Sequence, residues 1–445
     1  MKHTRSVVLL AALTLVAPLM TGCSTAKTEV EAAIAAAEGM DQATLYKKAM
    51  EEIRGKTMTG IGNSSRGKTA QEYFINYLKG LDADGKESAT IRAAFPDYDP
   101  DFSATISWTQ PKNNTIFEAI DADIASSDHN ISMTLIQDAN QIQSKELDTG
   151  NLLNYVPKEW KGSASNKEPF ALQSLNKIFE FNNLGDKTYK NCWDFVRTGE
   201  TPMFMAPNSE PVGKNWMLMM TNDTYSAILK DAYDGISDAT EKKRVGDAAD
   251  ALATKATDLG LGANAKYALA YIQFWMKQYS VQTDDGPICN ELVKSSSVGS
   301  SGLLVYSKLR SVSESDGVSK KNVTVAAYQD GYKGIGGYMY KHYLQVLKTS
   351  PYPYASCAFI NFMTCTYDGF KAWGKDIGGY CSNTNSGINQ DHSNDGGTDY
   401  PVLNDKGYDW WTGTGAGKGN LVIEDPTYCA KVSYKVGSWI DGLAA

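Results

Sequence analysis

The sequence has few histidines, no dense run of basic residues and no second long apolar stretch after its amino terminus. Four histidines are spread along the chain, at His3, His129, His342 and His392. They form no cluster with cysteines or carboxylates at ligand spacing, so we predict neither a metal site nor a cofactor. The formal net charge of −8 argues against a nucleic-acid partner, because phosphate binding ordinarily needs a basic surface. Catalytic motifs are also missing, which indicates a binding protein rather than an enzyme.

The amino terminus has the pattern of an export signal. Two basic residues precede an apolar run at 7–19, and small residues then lead to Cys23. The run is shorter than the roughly 20 residues that span a bilayer, and it resembles a bacterial lipoprotein signal, in which cleavage precedes a lipidated cysteine. We therefore predict a signal peptide at 1–22, lipid on Cys23, a polar tether at 23–42 and an extracytoplasmic, membrane-anchored protein. Ordinary secretory cleavage elsewhere is the alternative.

Six further cysteines follow, at Cys192, Cys289, Cys357, Cys365, Cys381 and Cys429. An even number can pair in an oxidising compartment, and free buried thiols are the alternative. One pairing is disfavoured, because a helical pattern would separate Cys357 and Cys365 by about 12 Å along its axis.

Strand and helix patterns alternate along the 445 residues. Residues 57–61, 104–109 and 133–136 have strand patterns, and amphipathic helices are predicted at 69–79 and 114–124. This alternation is typical of an α/β fold with a mainly parallel sheet. A chain of this length also divides into two or three compact units.

Two segments are predicted to cross between these units. The first is the extended apolar run at 170–181, and the second is the glycine-rich stretch at 331–337. The crossings predict one lobe formed by 43–172 and 340–445 and a second lobe formed by 173–339, with a ligand cleft between them.

Several short motifs, in this order, resemble the extracellular solute-binding proteins of ABC importers, which have the type II periplasmic-binding fold. They are LIQD at 135–138, DTGNL at 148–152, NCWDF at 191–195, PYASCAFINFM at 353–363 and YDGF at 367–370. The resemblance implies a two-lobed receptor that closes on a small polar solute and delivers it to a permease and its ATPase. Because capture and delivery require one freely closing cleft, we expect a monomer.

The first strand-to-helix turn, GNSSRGKT at 62–69, fits the P-loop pattern of nucleotide-binding proteins. An exported protein meets little nucleoside triphosphate, so a P-loop NTPase is the weaker interpretation. The unpaired N–H groups at the start of the helix suit an anionic or strongly polar ligand group. Ser64, Ser65, Arg66 and Gly67 are therefore candidate ligand-binding residues, with Arg66 offering a planar fork to a carboxylate or phosphate. The alternative is that a serine caps the helix and Arg66 points to water.

Further ligand-binding candidates end predicted strands or flank the second crossing. They are Trp108, Gln110, Asp138, Asn208, Ser209, Tyr328, Asp330 and Tyr332. Aromatic rings would stack on a sugar or enclose a cation, and the polar groups would hold hydroxyls or amines. A structural role is the alternative for each of them, and Trp108 in particular could belong to the core.

A second function from a different class is a surface lipoprotein that binds a glycan or another protein without transport. The aromatic stretch YDWW at 408–411 would then face solvent, and no cleft would be needed. Packing of this stretch against its own lobe is the alternative.

Overall fold

The computed structural model describes residues 28–111, 115–165, 167–207, 210–385 and 387–443. The strands are β1 Thr57–Gly62, β2 Thr105–Thr109, β3 Ile131–Ile136, β4 Leu152–Leu153, β5 Ala171–Asn182, β6 Met203–Met205, β7 Ser280–Gln282, β8 Ser301–Val305, β9 Val323–Val325, β10 Gly337–Leu347, β11 Gly379–Cys381 and β12 Val422–Ile423.

The helices alternate with these strands in the first lobe and form long runs in the second. They are α1 Glu29–Gly39, α2 Gln42–Ile53, α3 Arg66–Leu78, α4 Ala89–Ala94, α5 Thr115–Ala125, α6 Ala139–Gln141, α7 Pro211–Met220, α8 Asp223–Asp234, α9 Ala239–Ala251, α10 Ala253–Asp258, α11 Ala265–Gln278, α12 Asp285–Leu292, α13 Pro353–Cys365, α14 Tyr367–Phe370, α15 Tyr408–Thr412, α16 Pro426–Val432 and α17 Ser438–Leu443. Two π-helical turns, Ile142–Leu147 and Ser433–Gly437, continue α6 and α16.

One continuous sheet runs through both lobes in the order β2-β1-β3-β10-β5-β8-β6-β7. At one end β1 is parallel to β2 and β3, and at the other end β6 is parallel to β7 and β8. Between them β10 and β5 pair with each other in the antiparallel direction. The predicted α/β class is therefore confirmed, with parallel strands in each lobe joined by an antiparallel central pair.

Two main hydrophobic cores lie on either side of this central pair. The first core includes Phe74 and Phe359, and the second includes Trp216 and Trp275. Core membership changes within β5 between Leu172 and Leu175, and within β10 between Tyr340 and Leu344. The lobe boundaries at 172 and 340 remain predictions, and this change supports them.

The last part of the chain lies elsewhere than expected. Val402, Trp411, Cys429 and Ile440 are buried in the second core, whereas the sequence analysis placed 340–445 in the first lobe. The strand β12 explains the return, because it pairs with the start of β10, on the second-core side of the crossing. Residues after about 400 therefore pack with the second lobe.

The expected tether is folded where the structure describes it. A capping box between Thr28 and Glu31 starts α1, and Val30, Ile34 and Ala37 bury one face of that helix. Apolar residues at this spacing form a stripe that needs a partner, and α1 packs against α13. The tether prediction is thus wrong for the described residues up to 42.

The six cysteines after Cys23 are free thiols, and all but Cys365 are buried. The structure thus agrees with the alternative of unpaired thiols. Among the described residues, no helix has both the length and the apolar character needed to cross a membrane.

Candidate functional site

A cavity of about 780 Å³ opens between the two lobes. Residues that directly follow β1, β2 and β3 line one side, and residues that follow β6, β7 and β8 line the other. The middle of β5 and β10 forms its floor. Ligands of α/β folds bind at the carboxyl ends of parallel strands, so this cleft is the candidate ligand site. The lining residues used below are Ser64, Ser65, Arg66, Gln110, Lys177, Glu210, Asp285, Tyr340, His342 and Asp376.

The turn between β1 and α3 is packed on the indole ring of Trp108. A Cβ atom added at Gly62 would lie 2.9 Å from Cζ2 of Trp108, and one added at Gly67 would lie 2.4 Å from its Cε2. The indole Nε1 also donates a hydrogen bond to the carbonyl of Ser64 at 3.2 Å. Gly67 therefore makes room for the indole, and Gly62 lies against both the indole and the carbonyl of Leu135. The side chain of Lys68 is exposed. Trp108 supports the turn and is not part of the cleft lining.

Arg66, the first residue of α3, forms a two-pronged ion pair with Asp376. Its Nη2 lies 2.6 Å from Oδ1, and its Nη1 contacts Oδ2. The Asp376 side chain is only 2% exposed, and Nη2 of Arg310 from the second lobe approaches its Oδ1 at 3.7 Å. The guanidinium of Arg66 is thus already paired with a carboxylate of the protein itself. The sequence predicted either an Arg66 guanidinium that is free to bind an anion or an Arg66 side chain that points to water. The structure shows neither arrangement.

A buried lysine occupies the opposite side of the cleft floor. Lys177 extends from β5, and its Nζ lies 3.1 Å from Asp285 Oδ1 and 3.7 Å from Glu210 Oε2. Burial alone would lower the pKa of Lys177, but the attraction of Asp285 and Glu210 outweighs it and raises the pKa, so the ammonium stays charged. Burial raises the pKa of Glu210, which Lys177 only partly offsets.

His342 and Tyr340 project from the same face of β10 onto this floor. His342 is 3% exposed, and its Nδ1 accepts a hydrogen bond from Gln173 Nε2 at 3.2 Å. Burial, together with the nearby Arg66, lowers the pKa of His342 to about 3, so the ring is neutral near pH 7. With Nδ1 as acceptor, the ring proton lies on Nε2, which has no protein partner among the described residues. His342 therefore contributes a neutral ring to the floor, and its Nε2 is buried.

The other predicted site residues lie in different parts of the molecule. Ser64, Ser65 and Gln110 line the cleft beside Arg66. Asp138 lies outside this lining: it caps α6 by accepting from Gln141 N at 3.2 Å and accepts from Asn215 of the second lobe at 3.2 Å. Burial raises the pKa of Asp138.

The candidates around the second crossing lie away from the cleft. The Tyr328 hydroxyl contacts the Tyr306 hydroxyl at 3.0 Å, Tyr332 is 7% exposed and donates to the carbonyl of Ile335, and Asp330 is exposed on a turn. The glycine-rich segment ends where β10 begins, and β10 itself crosses between the lobes. The predicted residues beside that segment therefore lie away from the cleft floor. Asn208, Ser209, Cys23 and the predicted signal peptide at 1–22 lie outside the described residues.

Sequence reasoning missed the charged floor of the cleft. Lys177, Glu210, Asp285, His342 and Asp376 were not among the candidates, although all line the cavity. One signal was available for Lys177, because a lysine close to the apolar residues Leu175, Ile178 and Phe179 of a strand pattern needs carboxylate partners when it is buried. The other four residues lie far apart in the sequence, and no spacing pattern connects them.

The aromatic stretch at 408–411 is packed against its own lobe. Trp411 is fully buried and donates from Nε1 to Asp405 Oδ1 at 2.8 Å, and its ring lies 4.8 Å from that of Trp410. Tyr408 remains 46% exposed. This packing favours the structural interpretation of the stretch over a solvent-facing recognition patch.

Comparisons with known proteins agree with the architecture. No protein-family model matches the sequence, and no curated protein has significant similarity to it. Among solved structures, a ferric binding protein from Campylobacter jejuni is 10% identical, with 87% of this chain and 99% of that chain aligned at a TM-score of 0.52. An ABC transporter substrate-binding protein from Bradyrhizobium japonicum USDA 110 is also 10% identical over 87% and 99% of the two chains, at a TM-score of 0.49, which is too low to support an argument.

At this level of identity the similarity concerns the fold and not the ligand. Among the described residues, no group of three or more histidine, cysteine or acidic side chains is placed to hold a metal ion. The predicted architecture is confirmed: the chain has the two-lobed α/β fold of the type II periplasmic-binding proteins, with a cleft between its lobes.

Proposed function

We propose that this protein is an extracytoplasmic solute-binding protein, which captures a small polar solute between its lobes and delivers it to an ABC importer. The cleft is the observation that supports this function. Its volume of about 780 Å³ suits a small molecule, and both lobes contribute polar groups to its lining.

The connection between the lobes supports closure on a ligand. The strands β5 and β10 cross from one core to the other and pair along most of their length. Bending of such a strand pair changes the width of a cleft while each core moves as a rigid unit. A solute that contacts both walls stabilises the closed form by its differential affinity for the two states.

The rest of the proposal concerns location and partners. Lipid on Cys23 would hold the mature chain at a membrane after removal of residues 1–22, and a permease with its ATPase would receive the solute. We propose that the protein acts as a monomer. Metabolic labelling with an alkyne fatty acid tests the anchor: the wild-type chain should incorporate label, and Cys23→Ser should not. Labelling of both chains, or of neither, would contradict lipidation at Cys23.

The function is tested by thermal unfolding of the mature chain without Cys23 against a library of sugars, organic acids, phosphorylated compounds and amines. A true ligand raises the unfolding midpoint by mass action, and small-angle scattering should show a smaller radius of gyration with that ligand. Glu291→Gln, on the surface of the second lobe, serves as a variant that should keep the response. A library without any stabilising compound, or chemical turnover of the stabilising compound, would contradict the proposal.

A further inference from the structure

The charges that line the cleft do not balance. Four carboxylates line it, from Glu210, Asp284, Asp285 and Asp376, against three cationic side chains, from Arg66, Lys177 and Lys308. His342 adds no positive charge near neutral pH, because its pKa is lowered to about 3 by burial and by Arg66. Arg310 lies outside this lining, but it contacts Asp376 at 3.7 Å and supplies a further cation there, so the charge is unevenly distributed across the cleft.

The ion pairs show where carboxylates outnumber cations. Arg66 is paired with Asp376, and Lys308 contacts Asp284 at 3.1 Å on the exposed rim. Lys177 remains as the one ammonium between Asp285 and Glu210. Carboxylates therefore outnumber cations in the Lys177–Glu210–Asp285 cluster, which we call the acidic cluster, and its carboxylates also accept hydrogen bonds from the backbone N–H groups of Val212, Gly213 and Val305.

The acidic cluster is poorly hydrated. The side chains of Lys177, Asp285 and Glu210 are 3%, 11% and 15% exposed. A buried net charge is costly unless a counter-charge is supplied. The raised pKa of Glu210, caused by burial and by repulsion from Asp285, has the same origin. Met205, Val212 and Val305 lie in the same lining and provide an apolar surface beside the charge.

We infer that the solute carries an ammonium or guanidinium group on an alkyl chain, and that Glu210 and Asp285 bind this cationic group. This inference rests on the proposed function of the cleft. An anionic solute is disfavoured at both walls, since the acidic cluster repels it and Asp376 already occupies the Arg66 fork.

Three four-carbon compounds that differ in charge test the inference directly. Putrescine, 1,4-butanediol and succinate have similar lengths but are cationic, neutral and anionic, and agmatine adds a guanidinium probe. Calorimetric titration of the mature chain at low ionic strength should show putrescine or agmatine binding at least tenfold more tightly than the other two. Salt should weaken this binding.

Two near-isosteric variants locate the binding group. Glu210→Gln and Asp285→Asn should each weaken binding of the cationic probe about tenfold or more, while Glu291→Gln, at the far end of α12, should leave the affinity unchanged. Circular dichroism and the unfolding midpoint establish that each variant is folded. A variant that does not fold is replaced by a wild-type titration at lower pH: burial raises the pKa of Glu210, so protonation of this carboxylate should weaken amine binding.

The outcomes separate this inference from the proposed function. Tight binding of succinate or of a library sugar, with no preference for amines, would overturn the cationic solute while leaving a solute-binding protein. Amine binding that Glu210→Gln and Asp285→Asn do not weaken would overturn the assignment of the group. Failure of every library compound and every probe to bind would overturn both proposals.

Discussion

The two walls of the cleft differ in how their charged side chains are paired. On the first-lobe wall, Asp376 forms a two-pronged pair with Arg66 at the start of α3 and is also approached by Arg310 at 3.7 Å. On the second-lobe wall, one ammonium from Lys177 lies between two carboxylates. The first wall is therefore electrostatically satisfied without a ligand, whereas the second has a negative charge left over.

The difference shows that a charged side chain in a cleft is not by itself a ligand-binding group. Arg66 was the most persuasive candidate in the sequence, yet its guanidinium has an internal partner. The acidic cluster was not predicted, yet it is the part of the cleft whose negative charge a cationic solute can neutralise. We therefore expect selectivity to come from the second wall.

The largest expected effect comes from Lys177→Met, which removes the single cation of the acidic cluster. Two carboxylates would then remain buried with no counter-charge, and breaking a buried ion pair in this way costs about 3–5 kcal/mol. Urea unfolding at pH 7 should show this loss in the free energy of unfolding. The loss should shrink as the pH falls, because burial raises the pKa of Glu210 and its protonation removes one of the two negative charges.

The triple variant Lys177→Met, Glu210→Gln, Asp285→Asn provides the control for this prediction. It removes the charges together, so its free energy of unfolding should be closer to that of the wild type than that of Lys177→Met is. Equal free energies of unfolding for Lys177→Met and the wild type at pH 7 would show that Lys177 does not stabilise the two carboxylates.

Asp376→Asn removes the carboxylate that Arg66 and Arg310 share on the other wall. The arginines that contact Asp376 are 24% and 33% exposed, so water can hydrate them after the change, and we expect a smaller loss of about 2 kcal/mol. The freed Arg66 should also accept an external anion, so sulfate should stabilise the variant more than the wild type. Asp84→Asn, at an exposed ion pair with Lys371, is the control and should show neither effect.

The sequence predicted the fold more completely than the site. Alternating strand and helix patterns predicted the α/β class, because periodicity depends on local burial. The turn at Ser64, Ser65 and Arg66 and the position of Gln110 also follow from local strand ends, and these residues do line the cleft. The acidic cluster could not be predicted in this way, since Lys177, Glu210 and Asp285 come from different elements that only the sheet order brings together. The burial of Tyr332 likewise depends on tertiary packing, which no local sequence pattern predicts.

His342, beside Arg66 on the floor, makes the stability of the protein depend on acidity. Its pKa falls from an ordinary value of 6.5 to about 3 in the folded chain because of burial and of Arg66. The unfolded chain therefore binds one more proton between these values, and stability is lost as the pH falls below 6.5. The slope is at most about 1.4 kcal/mol per pH unit, or about 2 kcal/mol between pH 6.5 and pH 5. Denaturant unfolding of wild type and His342→Gln should show this contribution disappearing in the variant, whereas parallel pH curves would contradict it.

Gly67→Ala tests the packing of the first wall, and its expected effect on the free energy of unfolding is the smallest. A Cβ atom at this position would lie 2.4 Å from the indole of Trp108, so the ring or the turn must shift. Overpacking of this kind costs about 1–2 kcal/mol, which urea unfolding can resolve. Because the conflict is between two side chains, Trp108→Leu should reduce the cost of Gly67→Ala in a double-mutant cycle. If the two changes were simply additive, the glycine would be required for something other than the indole, and the P-loop-like pattern would again need a ligand to explain it.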